Sequence, residues 1–166
     1  MVVPGKVFFT RGRGVHKEEL VSFEMALRNA GIAPFNLVYV SSIMPPDAEI
    51  VSREEGLACL NPGEIVYCVM ARESSNVPCQ KISSAIGLAV PAIHDKQHGY
   101  LSEHHSIGMS EKACGEYAEE LARTMLYTIM QSSGGKILKT SNISIEADTN
   151  PDGTWTTVVS TAVFVC

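Results

Sequence analysis

Apolar positions along the chain follow two periods. Over residues 18–30 they recur every three or four places, as Leu20, Phe23, Leu27 and Ala30, which predicts a helix with one apolar face. Gly31 follows as a residue able to close the last turn in the left-handed region. A second stripe, Ala113, Tyr117, Leu121 and Met125, predicts a long helix from a Ser110 cap to about residue 131. Glu111 stands in its first turn, where the helix dipole favours an acid, and Ser132-Ser133-Gly134-Gly135 ends it. Elsewhere, strand-length runs fall over 6–10, 36–40, 64–73, 99–106, 137–147 and 155–165, and the apolar, small-residue-rich run 82–92, which has no clear period, reads as a strand by its length and context. Arg11-Gly12-Arg13-Gly14 reads as a flexible loop; no phosphate-binding fingerprint follows it. Residues 52–63 read as loop with a Pro62-Gly63 turn, 74–78 as a turn and 94–98 as a polar connection. A last turn falls at Asn150-Pro151-Asp152-Gly153.

Two amphipathic helices and six or seven strands need a way to cover both faces of a sheet. The pattern fits an α+β architecture with two sheets packed face to face and a helix on each outer face. No internal repeat or linker interrupts the chain, so residues 1–166 are expected to form one domain.

Composition narrows the function. With 45% hydrophobic and 19% charged residues, the chain suits a packed core rather than disorder. A net charge of −5 and a pI near 5.5 argue against nucleic acid, which asks for a basic face, and are a weak pointer to a cationic substrate. Residues 2–9 are broken by Pro4, Gly5 and Lys6, with no secretory cleavage pattern, and no apolar run has membrane-spanning length. Cysteines at 59, 68, 79, 114 and 166 are odd in number and lack a Cys-x-x-Cys pair, which suits a reducing, cytoplasmic setting and free thiols. Among the histidines, His94 and His98 stand four apart on a loop, and His104 and His105 face opposite sides of a strand, so no metal site is expected.

The stretch over residues 36–51, NLVYVSSIMPPDAEIV, concentrates the candidate chemistry. Asn36-Leu37-Val38-Tyr39-Val40 reads as a buried strand. Ser41 and Ser42 stand at its end, and Pro45-Pro46 then stop any ladder, because proline donates no N–H and restricts Met44 before it. From the residues alone, two readings stay open: a strand ending in an ordinary proline turn, or a strained junction presenting a hydroxyl. Likewise Glu24, beside Phe23 at the edge of the helix stripe, and Glu103, beside two histidines, are ordinary surface residues by composition.

Asn29-Ala30-Gly31-Ile32, Asn36-Leu37 and Val40-Ser41-Ser42-Ile43-Met44-Pro45-Pro46, followed by Glu49-Ile50-Val51, resemble the self-cleavage region of the pyruvoyl-dependent arginine decarboxylases. Weaker similarity runs through most of the chain. The resemblance implies a four-layer αββα sandwich. It also implies a homotrimer, or a dimer of trimers, with active sites between subunits, and a place in polyamine biosynthesis. It implies cleavage between Ser41 and Ser42 into a β chain, 1–41, and an α chain, 42–166, with Ser42 converted to a pyruvoyl group.

Loss of CO2 from an amino acid leaves an electron pair that no ordinary side chain absorbs, whereas a carbonyl cofactor does. The lysines sit in no recognisable pyridoxal phosphate motif, so neither that cofactor nor a metal is expected. By the same resemblance Glu103 is the proton donor, and Asn36 assists processing and site geometry. Glu24 stands where the family carries an acid, usually Asp, that receives the substrate guanidinium. Leu27, Ile43 and Met44 are apolar walls. The extra methylene of Glu24 leaves ornithine, lysine or histidine open beside arginine as the amino-acid substrate. An uncleaved, non-catalytic oligomeric binding module is the reading of a different class.

Overall fold

The computed structural model describes residues 3–92, 97–131 and 135–166. Among the described residues it has nine strands and three helices. In chain order these are β1 (Lys6–His16), α1 (Glu19–Ala30), β2 (Asn36–Tyr39), β3 (Ile43–Met44), β4 (Glu49–Ile50) and α2 (Arg53–Ala58). Then come β5 (Ile65–Ser75), β6 (Lys81–Pro91), β7 (Gly99–Ile107), α3 (Glu111–Met130), β8 (Ile137–Asp148) and β9 (Trp155–Val165). One sheet has the order β2-β5-β9-β1-β4 and the other β3-β7-β6-β8. All pairings are antiparallel except β2 with β5 and β1 with β4.

The sheets meet face to face over an apolar core. Val7, Val69, Ala71, Ala162 and Phe164 come from the five-stranded sheet, and Met44, Ile86, Leu88 and Leu101 from the four-stranded one. Helix α1 covers the outside of the first sheet and α3 the outside of the second. This is the four-layer αββα sandwich.

The loop expected at Arg11-Gly12-Arg13-Gly14 is instead the second half of β1, paired with β9 through His16↔Trp155. Its glycines serve packing. A Cβ on Gly12 would run into the Ala26 carbonyl, and one on Gly14 into the Ser22 carbonyl. Helix α1 lies directly on the strand there. Its inward face is therefore the small-residue line Ser22, Ala26 and Ala30, and Leu20 is 74% exposed, contrary to the stripe expected. Phe23 and Leu27 flank the contact, half-buried. Gly31 closes α1 with φ 83°, as its position predicts.

Helix α3 repeats the arrangement. Ser110 Oγ accepts the Ala113 N–H, the cap expected. The inward face is Cys114, Ala118, Ala122, Leu126 and Met130, one position on from the stripe expected, and Tyr117 stays 47% exposed. Gly87 of β6 lies under the Ala118 carbonyl, leaving no room for a side chain.

Residues 52–63 also differ from expectation, since they contain α2. Ser52 Oγ accepts the Glu55 N–H at 3.2 Å, half of the Ser-x-x-Glu capping arrangement legible in the sequence. Arg53 Nε reaches the Ala30 carbonyl at 3.1 Å, and Arg53 also donates to Asn29 O at 3.3 Å, so α2 satisfies the carbonyl end of α1.

Candidate active site

The serine pair lies where the chain steps from one sheet to the other. β2 runs parallel to β5 from Asn36↔Ile65 to Tyr39↔Cys68, and the Val40 N–H extends that ladder to Cys68 O at 3.0 Å. Three residues later Ile43 and Met44 pair with Tyr100 and Gly99 in the opposite sheet. The prolines thus end a ladder, as expected, but only after two residues of β3 have formed. β2 is not buried: Asn36, Val38 and Tyr39 are exposed at a sheet edge. Between the two strands the Ile43 N–H donates to Ser41 O at 2.8 Å, closing a three-residue turn with Ser42 at its centre. The Leu101 N–H donates to Ser42 O at 2.8 Å. Met44, 2% exposed, anchors the turn in the inter-sheet core, while Ile43 and Ser41 face solvent. Asp47 takes φ 63° as the chain turns back to the first sheet, a left-handed conformation that Asp tolerates better than most residues.

Ser42 Oγ donates to Glu103 Oε2 at 2.8 Å. Glu103 stands two residues beyond Leu101 on β7, on the same strand face. One chain therefore gathers a hydroxyl, a carboxylate that can take its proton, and a neighbouring carbonyl already holding an N–H. A largely apolar cavity of about 400 Å³, with Val40, Ile43, Tyr67 and Phe164 in its wall, adjoins Ser41.

The next residue on that face of β7 was read in the sequence only as a histidine unfit for metal. His105 Nδ1 shares a 2.8 Å hydrogen bond with Glu73 Oε2 across the two sheets. The other Glu73 oxygen accepts the Ser74 N–H at 3.1 Å. The signal available in the sequence was the two-residue spacing of Glu103 and His105 on a strand.

Of the remaining candidate residues, Asn36 stands at the other end of β2, and Glu24 and Leu27 belong to α1 on the outer face of the five-stranded sheet. Asn36 Nδ2 donates to Gly63 O at 2.7 Å. Glu24 pairs with Arg28 at 2.7 Å, beside a cavity of about 350 Å³ that Gly31 and Pro34 also line. Leu27 packs against the core under α1. At about 3.3 Å per extended residue, roughly 16 Å of chain separates Asn36 from Ser41. A single chain thus unites Ser41, Ser42, Ile43, Met44 and Glu103, and leaves Asn36, Glu24 and Leu27 apart from them.

The histidines go separate ways. His98 Nδ1 lies 3.0 Å from Gly99 O, and His104 turns to Met109 and the Tyr117 ring on the α3 side. Burial, then the charge of His105, holds the His104 imidazole below its usual range. His94 lies outside the described residues. Among the described residues no three His, Cys, Asp or Glu side chains form a metal-binding group, and no helix is long and apolar enough to cross a membrane.

The family model described as pyruvoyl-dependent arginine decarboxylase matches residues 6–166. The class is that of the pyruvoyl-dependent decarboxylases, enzymes that remove CO2 from an amino acid. A pyruvoyl-dependent arginine decarboxylase of Methanocella arvoryzae is 57% identical over 164 residues, covering 99% of this chain and 97% of its own. Pyruvoyl-dependent arginine decarboxylase 2 of Methanosarcina mazei is 47% identical over 180 residues, covering 99% and 98%. A solved pyruvoyl-dependent histidine decarboxylase aligns with a TM-score of 0.43 and 16% identity over 64% of this chain and 53% of its own. The chain belongs to the pyruvoyl-dependent arginine decarboxylase family.

Proposed function

We propose that the chain cuts itself between Ser41 and Ser42 and then decarboxylates L-arginine to agmatine and CO2. The observation that carries this reading is the 2.8 Å hydrogen bond from Ser42 Oγ to Glu103. Glu103 takes the hydroxyl proton as Oγ adds to the Ser41 carbonyl carbon. The Ile43 N–H, already on that carbonyl oxygen, steadies the negative charge that develops there. Collapse moves the acyl group from nitrogen to Oγ and turns the peptide into an ester. Loss of the Ser42 Cα proton and cleavage of its Cβ–Oγ bond then leave Ser41 as a carboxylate terminus and residue 42 as dehydroalanine. Water converts the latter to a pyruvoyl group and ammonia. The products are a β chain, 1–41, and an α chain, 42–166.

The residues present fit that group. Residue 42 keeps its own carbonyl, which the Leu101 N–H holds, Met44 anchors the next turn of chain, and Glu103 faces the former Oγ position. When present, the pyruvoyl group supplies a carbonyl that takes the substrate amine and draws off the electron pair left by CO2. Glu103 delivers a proton to the substrate α-carbon.

Arginine is favoured by Glu24, whose carboxylate already grips a guanidinium, that of Arg28, at 2.7–2.8 Å. Because Asn36 lies at the far end of β2 and Glu24 and Leu27 belong to the helix on the sheet's outer face, a neighbouring copy supplies them, in a homotrimer or a dimer of trimers with sites between subunits.

Intact mass under denaturing conditions is expected to show two chains broken at Ser41–Ser42, and Ser42→Ala one chain without activity. Two chains in that variant would overturn self-cleavage at this bond. CO2 release from arginine should exceed that from ornithine, lysine and histidine, and a different order would reassign the substrate.

A further inference from the structure

We propose that His105, oriented by Glu73, returns a proton to Glu103 after each turnover. This rests on Glu103 being the donor to the substrate. Decarboxylation breaks the bond from the α-carbon to the carboxylate, releases CO2 and places a proton on that carbon. The proton comes from Glu103, which is left as a carboxylate. Each turnover therefore consumes one proton, and the next cannot finish until Glu103 has regained it.

The structure provides a group for that step. Glu103 and His105 are two residues apart on β7, so both project from one face with backbones about 6.6 Å apart, near enough for their side chains to exchange a proton directly or through a water. Glu73 is the more enclosed partner, with its side chain 17% exposed against 58% for His105. A carboxylate on Nδ1 fixes the ring and its tautomer, which leaves Nε2 as the nitrogen that exchanges protons. Nε2 gives its proton to Glu103, directly or through that water, and regains one from solvent. No bond other than these N–H and O–H bonds changes. His105 acts through Glu103 and does not touch the substrate. A plain clamp between the sheets would use the same hydrogen bond, and kinetics separate the two roles.

His105→Ala is made in the self-cleaved enzyme, with cleavage checked by mass. The first turnover, which uses the proton already on Glu103, should run at the wild-type rate, and later turnovers should slow on the order of 100-fold. Because reprotonation follows the irreversible loss of CO2, KM should fall together with kcat, and kcat/KM should stay within about twofold of wild type. Imidazole added at fixed pH should restore the steady-state rate of this variant in proportion to its concentration and leave wild type unchanged. An unaltered steady state, a loss equal in the first and later turnovers, or no response to imidazole would each overturn the proposal. If His105→Ala does not fold, His105→Gln, which keeps a donor toward Glu73, takes the same three measurements, with the same outcomes deciding. Glu103→Gln keeps the two readings apart. Normal turnover there removes Glu103 as donor, whereas slow turnover there with normal His105→Ala removes only the relay.

Discussion

At the scale of single residues, the proposed function gives Glu103 opposite duties at two times. On that reading it accepts the Ser42 proton during maturation, through the 2.8 Å contact with Oγ, and donates a proton during decarboxylation, once Oγ has left with Ser41. Glutamine keeps the shape of the side chain and loses both abilities. Glu103→Gln should therefore slow the appearance of two chains, followed by mass over time. In whatever matures, kcat should fall about 100- to 10,000-fold, the usual worth of general acid–base help. Normal rates in both phases would take Glu103 out of the chemistry. Ile43 is divided too: it is 38% exposed beside Ser41, while its N–H holds the Ser41 carbonyl.

At the scale of elements, two close contacts between helix and strand set the outer layers of the sandwich. In each, a strand glycine meets a helix carbonyl, Gly12 under Ala26 and Gly87 under Ala118. Close approach selects small residues on the inward helix faces and leaves larger ones such as Leu20 and Tyr117 at the margins. Gly12→Ala should cost about 1–3 kcal/mol, because the backbone carbonyl it meets cannot move aside without shifting α1. Urea midpoints test this, with Gly5→Ala as the comparison, since a Cβ there meets nothing within 4 Å and should change stability by less than about 0.5 kcal/mol. Equal midpoints for the two variants would show that α1 is not held tightly against β1. The serine crossover depends on other contacts, namely Met44 in the inter-sheet core and the Leu101 N–H, so cleavage in Gly12→Ala should persist wherever the chain folds.

At the scale of the whole molecule, the buried thiols link folding to pH. Burial pushes the Cys68 thiol up to about 12. Unfolded, the same thiol titrates near 8.5. The folded state thus prefers the protonated thiol. Its contribution to stability is complete below about pH 8.5 and is lost as pH rises toward 12. Denaturation midpoints should fall between pH 8 and pH 10.5 more steeply in the natural chain than in Cys68→Ala, and parallel declines would exclude Cys68 as a source. At pH 8, an alkylating reagent should label the exposed Cys59, Cys79 and Cys166, with Cys68 and Cys114 reacting only after unfolding.

Local pattern alone determined a good deal. Strand runs such as 64–73 and 99–106, the Ser110 cap and the Gly31 closure follow from periodicity and capping, which are properties of residues a few places apart, whereas the four-layer order was implied by the family resemblance. The Ser-Ser-Ile-Met-Pro-Pro run and its surroundings pointed to the family that the comparisons show. Tertiary structure decided the rest, because those contacts join distant residues. Gly12 and Gly14 look like loop until α1 is laid on them, and the inward helix faces follow from how closely a strand approaches. Asn36–Tyr39 has the composition of a buried strand, yet it forms an exposed sheet edge, since burial depends on what packs beside it. Ser42 meets Glu103 across 61 residues and Glu73 meets His105 across 32, through a crossover between sheets that no local period encodes. The same crossover leaves Asn36 at the other end of β2, because an extended strand holds its two ends apart.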